Sequence, residues 1–324
     1  MCYKMTKEEI LRILREAGDY VSGESLAETL GVSRAAVWKH VHTLIKEGYR
    51  VDVAQGKGYR LLGVPDKLYP SEVRYGLQTK LLGKRVIHMN STGSTNTVAR
   101  QLAEEGVAEG TVVIAEVLTR AKGRMGRTFI TKHGGAWLSI VLKPALDPAH
   151  ASSITLLAAV SVTKALRGAG LEAVIKWPND VLVNGKKICG ILTEMNAETD
   201  AVNFIILGIG VNVNNDVPLE TATTMRAELG HEADRVGFVQ SLLETLEEDY
   251  LTFHEEGFTP ILWSWRRYSD TLGRMVEVTS QDEVITGMAQ DVGEDGSLLV
   301  KIKDGSVRTI VSGDCQHLRS PGNL

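Results

Sequence analysis

The sequence predicts an α+β protein in three parts, and three observations carry that prediction. Residues 1–64 hold a helix-turn-helix pattern followed by a basic hairpin. Helix and strand periodicities alternate over residues 67–270, and only short strand-like runs follow over 271–324. A length of 324 residues suits two or three folding units. With 43% hydrophobic and 23% charged residues, the chain is neither disordered nor a coiled coil. The net charge of -4 gives no global attraction to polyanions, so any contact with nucleic acid must be local. Cys2, Cys189 and Cys315 lack the spacing of a zinc site or a disulfide framework, which fits a reducing cytoplasm. Neither a signal-peptide core nor a run of roughly 18 apolar residues is apparent, so a cytoplasmic protein without membrane contact is expected.

In the first part, Glu24 to Leu30 reads as a short helix and Gly31-Val32 as a tight turn. Ser33 then caps a second helix running to about Glu47. Val37, Val41, Leu44 and Ile45 fall at helical spacing and predict a buried stripe. Arg34, Ala35, Trp38, Lys39 and His42 lie mostly off that stripe, where a helix entering a major groove presents its residues. The alternation Tyr49 to Val53, the turn Gln55-Gly56-Lys57-Gly58 and the return Tyr59-Arg60-Leu61 predict a β-wing with a basic tip at Lys57. From Gly31 to Arg60, six basic residues face two acidic ones, a local cationic face. The competing reading is a small helical bundle for protein contact with Trp38 in its core. Charge, cap and wing coinciding favour DNA.

Gly63-Val64-Pro65-Asp66 reads as a linker. Beyond it, strands are expected at Lys84–Met89, Thr111–Thr119, Ala136–Lys143, Ala173–Lys176, Val181–Asn184, Lys187–Asn196 and Phe204–Val213. Helices are expected from Ser94 to near Gly106, over Ala151–Arg167 and over about Arg235–Glu255. The turns between the later strands are too short for crossover helices, which favours a mixed, largely antiparallel sheet over a doubly wound one. Strand-like runs at Met275–Thr279, Ile285–Gln290, Leu298–Lys303 and Val307–Val311 suit a small β-barrel.

Two stretches carry chemistry. Arg120 to Arg127 packs four cations and two glycines between strands, a composition suited to a phosphate or carboxylate, though a solvated basic loop or a second nucleic-acid contact fits as well. Lys176-Trp177-Pro178-Asn179-Asp180 is an ordinary turn on the plain reading. On the functional one, its cation, flat aromatic and carboxylate stack a purine and hold a Mg²⁺-bound triphosphate. Lys187 starts an apolar strand and either snorkels or points its ammonium into the site. Gly208-Ile209-Gly210-Val211-Asn212 lacks the third glycine and the helix of a dinucleotide fingerprint. A P-loop, a nucleophile elbow and an HExxH pair are also absent from the sequence. What remains is a site able to join an ATP phosphate to an acid by electrostatic stabilisation, without a protein nucleophile.

Taken in order, Ser94-Thr95-Asn96, Lys122 to Arg127, Lys176 to Asp180, Lys187 with Gly190, and Gly208 to Asn212 resemble the biotin protein ligases. The N-terminal pattern is similar to the bifunctional members that also repress biotin-synthesis genes. The resemblance implies a winged helix-turn-helix, a central mixed-sheet ligase domain and an SH3-like C-terminal barrel. It implies formation of biotinyl-5′-AMP from biotin and Mg²⁺-ATP, then transfer of biotin to a lysine of a biotin carboxyl carrier protein domain. It also implies a homodimer, formed when the adenylate is bound, that grips operator DNA.

By position, the resemblance assigns biotin to Ser94, Thr95, Asn96, Leu118, Lys122, Gly123, Arg124, Lys187 and Gly190. The adenylate falls to Arg127, Lys176, Asn179, Asp180 and Asn212, and catalysis to Lys187 and Arg124. DNA falls to Ser33, Arg34, Ala35, Trp38, Lys39, His42 and Lys57; no metal site made by protein alone is implied, Mg²⁺ arriving with ATP near Asp180. The chain departs from the family at the ligand loop: Leu118 stands for a glutamine, Ala121 for a glycine, Lys122 for an arginine and Phe129 for a tryptophan. Removing one polar interaction costs on the order of 1–3 kcal/mol, so the expectation is a weaker or faster-leaking adenylate. A biotin sensor without turnover, and a ligase for lipoate or a similar acid, are the competing readings.

Overall fold

Ile10, Leu11 and Leu14 are buried along one side of helix α1 (Cys2–Ala17), which packs on the helix that follows the turn. The computed structural model describes residues 2–120, 123, 131–198, 201–218, 220–280 and 283–318. It divides into two compact units, Met1–Lys67 and Leu68–Leu324.

In the first unit, α2 (Gly23–Leu30) starts at Ser22, whose Oγ accepts the Ser25 N–H, and ends at Gly31 with φ 62°. Helix α3 (Arg34–Lys46) starts at Ser33, whose Oγ accepts the Ala36 N–H. Val37, Val41 and Leu44 are buried as the spacing predicts. The fourth buried position is His40, not Ile45, which is exposed. At 100° per residue, positions 40 and 45 flank the stripe on opposite sides, about 60° and 80° from position 37, and the flank of His40 is the buried one. Lys7 reaches Glu47 at 2.6 Å and ties α1 to the end of α3. Strands β1 (Arg50–Ala54) and β2 (Gly58–Gly63) form the antiparallel wing. At Gly58 a Cβ would lie 2.1 Å from the Val21 carbonyl oxygen, so only glycine lets the wing pair with Val21 through Tyr59.

The second unit opens with the short helix α4 (Pro70–Arg74). Its sheet runs β3 (Val86–Met89), β4 (Val112–Ala115), β5 (Ala136–Leu142), β9 (Val202–Val211), β8 (Lys186–Ala197), β7 (Asp180–Val183) and β6 (Ala173–Lys176), in that spatial order. Every pair is antiparallel except the edge pair β3–β4, which is parallel because α5 (Thr95–Glu104) makes the crossover. Strand β4 ends at Ala115, so the strand predicted to reach Thr119 stops short; residues 117–120 instead pair with Thr92 and Gly93.

Helix α5 covers β4, β5 and β9 on one face, where Ala99, Ala103, Val113, Val141, Phe204 and Ile206 form a small core. The other face carries α6 (Ser152–Gly168), backed by α8 (Arg235–Glu256) and α9 (Thr259–Tyr268). The stretch Pro148–Gly168 is apolar and long enough to cross a membrane by length and composition, but it is the main core helix and largely buried. The short α7 (Met225–Leu229) lies between β9 and α8 in the chain.

The C-terminal strands are β10 (Met275–Thr279), β11 (Val284–Val292), β12 (Leu298–Lys301), β13 (Val307–Ile310) and β14 (Asp314–His317), in the antiparallel order β13-β12-β11-β10-β14. The sequence reading has four of them. The fifth is too short and too polar to show alternation, and β10 supplies its pairing partner.

Candidate functional site

Three glycines decide where the large sheet is open. Gly208 lies under α5, and a Cβ there would meet Asn96 Oδ1 at 2.2 Å. Gly210, two residues on, faces the same side, and register pairs Gly210 with Gly190 and Trp137, Gly190 with Asp180, and Asp180 with Lys176. A row across five strands thus runs Lys176, Asp180, Gly190, Gly210, Trp137: two charged groups at one end, a bare floor in the middle and an indole at the other. Gly190 and Gly210 are both partly accessible to solvent.

Lys187 Nζ lies 2.5 Å from Asp180 Oδ1, with both side chains about a quarter to a third exposed. A β-bulge between Val181 and Leu182 lets Lys187 reach Asp180, although it pairs with Leu182. The hairpin between them turns at Asn184 and Gly185, both with positive φ, as a two-residue β-turn demands. The Lys187 backbone is held separately, its N–H donating to Thr221 O and its carbonyl accepting from Thr223 N–H. Asn212 is buried; its N–H donates to Ile188 O and its Oδ1 accepts from Asn215 Nδ2 at 3.1 Å. Asn179 donates to Ile191 O at 2.7 Å and so fixes the turn before Asp180.

Trp177 corrects the purine-stacking expectation. It is 1% exposed, its Nε1 donates to Gly296 O at 3.0 Å and its N–H donates to Thr271 Oγ1. The indole is therefore a pin joining the central sheet to the C-terminal strands, and both of its faces are packed. The charge of Lys176, next to it, acts on Cys315 and His317: burial pushes the Cys315 thiol up to about 12 although the Lys176 charge opposes this. Burial and Lys176 hold His317 below the usual histidine range.

At the other end of the site Ser94 caps α5 through the Thr97 N–H. Thr95 and Asn96 are buried in the first turn. Asn96 Nδ2 donates to Leu192 O at 3.3 Å and to Glu194 Oε2 at 2.8 Å, and its Oδ1 lies 2.6 Å from Ser139 Oγ. Three of its four hydrogen-bonding positions are thus taken within the protein. Leu118 is clasped by Thr131, whose Oγ1 accepts from its N–H at 3.2 Å and donates to its carbonyl at 2.7 Å. Arg120 N–H donates to Gly93 O, so the basic loop starts beside the α5 cap. Gly123 is half-buried. Lys122, Arg124 and Arg127, with Ala121 and Phe129, lie outside the described residues. Of the cations assigned to the ligands, Lys176 pairs with Asp180 in register and Lys187 binds its carboxylate.

Two residues before Leu118, Glu116 is 1% exposed, accepts from Leu68 N–H at 2.9 Å and His88 Nε2 at 3.0 Å, and forms an ion pair with Arg235 Nη2 at 2.9 Å. Burial pushes its pKa up, but His88, the Arg235 charge and the Leu68 N–H outweigh that and bring it to about 2. Sequence reading missed this group, as it missed Ser139 and Glu194. Their partners are tens of residues away or more, and no local spacing marks them.

In the N-terminal unit, Arg34, Ala35, Trp38 and Lys57 line a groove between the start of α3 and the wing, together with Ser22 and Tyr59. Trp38 is 55% exposed, which removes the reading in which it is core. The His42 ring packs on it at 3.9 Å between centroids, and His42 Nδ1 lies 3.0 Å from Trp38 O. Lys39 is exposed on the same helix, and Ser33 caps it. Tyr20, bonded through its hydroxyl to Asp52, lies under the Arg60 guanidinium at 4.7 Å and steadies the wing.

Comparison with known proteins follows the same division. The biotin/lipoate A/B protein ligase family model matches residues 88–212, a helix-turn-helix domain model matches 6–60, and a biotin protein ligase C-terminal domain model matches 271–318. The bifunctional ligase/repressor BirA of Bacillus subtilis is 39% identical over 319 residues, 96% of this chain and 98% of that protein. The Escherichia coli protein of the same name is 31% identical over 92% of each chain. The solved biotin protein ligase of Aquifex aeolicus, in complex with biotin and ATP, is 29% identical. It superposes with a TM-score of 0.63, covering 73% of this chain and all of that one.

Proposed function

Because this chain belongs to the biotin/lipoate protein ligase family in its bifunctional ligase/repressor form, we propose that it activates biotin with ATP, passes it to a carrier-protein lysine, and represses transcription when it holds the adenylate. In the first step a biotin carboxylate oxygen attacks the α-phosphorus of ATP, and the bond to pyrophosphate breaks. In the second, a carrier lysine attacks the acyl carbon, forms an amide and releases AMP with the bridging oxygen.

The observation that carries the reading is the Lys187–Asp180 pair at the edge of the glycine floor. Biotin fits the bare strip over Gly190 and Gly210, its ureido ring toward Ser94 and Thr95 and its carboxylate toward Lys187. The Lys187 ammonium then faces the carboxylate and the phosphate together and stabilises charge as it moves between them. Lys176, Asn179, Asp180 and Asn212 border the position left for the nucleotide, with Arg124, Arg127, Lys122 and Gly123 assigned to close over it. Among the described residues no cluster of three metal-ligating side chains occurs. Mg²⁺ arriving with ATP would find Asp180 as one oxygen ligand and would lower the charge on the phosphates.

Incubating the purified chain with biotin, Mg²⁺-ATP and a biotin carboxyl carrier domain is expected to give a streptavidin-reactive carrier. No label, combined with tight biotin binding, overturns turnover in favour of a sensor.

For repression, Ser33, Arg34, Ala35, Trp38, Lys39, His42 and Lys57 form the face offered to operator DNA, and biotinyl-AMP favours a homodimer that presents two such faces. Arg34→Ala or Lys57→Ala is expected to weaken DNA binding and to lower the slope of log affinity against log salt by about 0.9 for each phosphate the side chain neutralises. A gel shift across salt concentrations measures both, and an unchanged slope removes that residue from the interface.

A further inference from the structure

We propose that Glu228 is a positioning residue for Lys187: its carboxylate clamps the strap 221–223 to the β7–β8 turn and so fixes the backbone from which the ammonium reaches Asp180. The inference rests on the ligase reading above and deepens it, since the clamp bears on the reaction only through Lys187.

A charge on a flexible four-carbon stem is only as well placed as the backbone that carries it. The strap grips that backbone: Lys187 N–H donates to Thr221 O and the Lys187 carbonyl accepts from Thr223 N–H, both at 2.9 Å, with Lys187 and Ala222 paired in parallel. The strap lies between β9 and α7 and belongs to neither, so its grip depends on what anchors it. Glu228, on α7, is that anchor. One of its carboxylate oxygens accepts from Thr223 Oγ1 at 2.5 Å and the other from Asn184 Nδ2 at 2.6 Å. Asn184 and Gly185 form the turn that leads into β8, three residues before Lys187. A single side chain therefore joins the two segments that flank the lysine, the turn before it and the strap beside it.

Thr223 is 4% exposed, so its hydroxyl finds little water once the carboxylate is gone. Helix α7 is itself held at both ends: Thr224 Oγ1 accepts from Ala227 N–H at 3.0 Å, Gly230 ends the helix with φ 79°, and Met225 N–H donates to Asn212 O at 3.1 Å. The clamp also keeps two like residues apart. Lys186 carries the same charge as Lys187, and successive side chains of a strand leave opposite faces. A one-residue slip of β8 would set Lys186 in the place of Lys187, and the turn and the strap, joined through Glu228, oppose that slip.

The test measures single-turnover formation of biotinyl-AMP from biotin and radiolabelled Mg²⁺-ATP by the full chain, with the biotin dissociation constant taken from calorimetry. Glu228→Ala is expected to slow the step about tenfold, the scale of a misplacement below about 1 Å, while biotin affinity stays within about twofold of wild type. Glu228→Gln is expected to recover the rate to within about threefold of wild type, because its amide oxygen can accept from Asn184 and its amide nitrogen can donate to the Thr223 hydroxyl. In a Lys187→Ala background, adding Glu228→Ala is expected to change the residual rate by less than about twofold, as for two groups acting through one. A tenfold loss in that background, an unchanged rate in the single variant, or a biotin affinity that falls as far as the rate overturns the clamp and leaves the ligase reading in place. No adenylate from the wild type overturns both. Should Glu228→Ala not fold, Thr223→Val removes one hydroxyl and keeps the shape; it is expected to slow the step about threefold, and no change there overturns the clamp.

Discussion

Lys187→Ala is expected to lower biotin-dependent ATP–pyrophosphate exchange by about 10²- to 10³-fold, the usual effect of removing one preorganised charge from a transition state. The same change is expected to leave the fold intact. The β8 backbone at Lys187 is held by Thr221 and Thr223 whatever its side chain, and Asp180, which pairs with its ammonium, is about a quarter exposed and regains water when the lysine goes. Removing the ion pair is therefore worth on the order of 1 kcal/mol or less. Lys187→Arg keeps the charge but spreads it over a planar fork that cannot sit as a point charge, so partial recovery is expected. Exchange and thermal melting measured on the three proteins separate the alternatives: near-normal exchange in Lys187→Ala removes the catalytic role. Parallel loss of exchange and melting temperature would assign the lysine to the fold.

What is legible in the sequence follows from the range of the interactions involved. Ser33 and Gly31 announce their helix ends because a cap bonds to residues three away. The wing and the alternating strands are equally local. His40 and Ile45 exchange places because a stripe drawn at ideal spacing does not show where its edge falls against neighbouring helices. Trp177 reads as a ligand platform because its neighbours are charged; its burial comes from Thr271 and Gly296, about a hundred residues later. From local spacing alone, Gly208 and Gly210 read as a failed nucleotide fingerprint, and otherwise only as part of the family resemblance. Their meaning lies across the sheet, where one makes room for Asn96 and the other leaves the floor bare. Asn96 itself falls to the ligand by motif position, which cannot reveal that Leu192, Glu194 and Ser139 already occupy its amide.

The other large effect expected is on stability, and it comes from a pair that no local pattern marks. Glu116→Gln removes the carboxylate that Arg235, 2% exposed, pairs with at 2.9 Å, and breaking a buried ion pair from one side costs about 3–5 kcal/mol. Glutamine keeps the shape and can still accept from Leu68 N–H, so the loss isolates the charge. The acid response follows from the same group. Its folded pKa, about 2, lies below the ordinary 4.5, so the unfolded chain takes up the proton first. The stabilisation is complete above about pH 4.5 and disappears as pH falls toward 2, a change on the order of 3 kcal/mol. Urea unfolding at pH 7, 4 and 3 should therefore show the wild type converging on Glu116→Gln as the solution is acidified. A constant difference between the two would mean that Glu116 is not held ionised. Replacing both partners, with Glu116→Leu and Arg235→Met together, is expected to recover most of the loss at neutral pH, since apolar neighbours can then close around an uncharged pair. Because Glu116 lies two residues before the Leu118 clasp, the single variant is also expected to weaken biotin binding, and the double variant to restore it only if the clasp itself is restored.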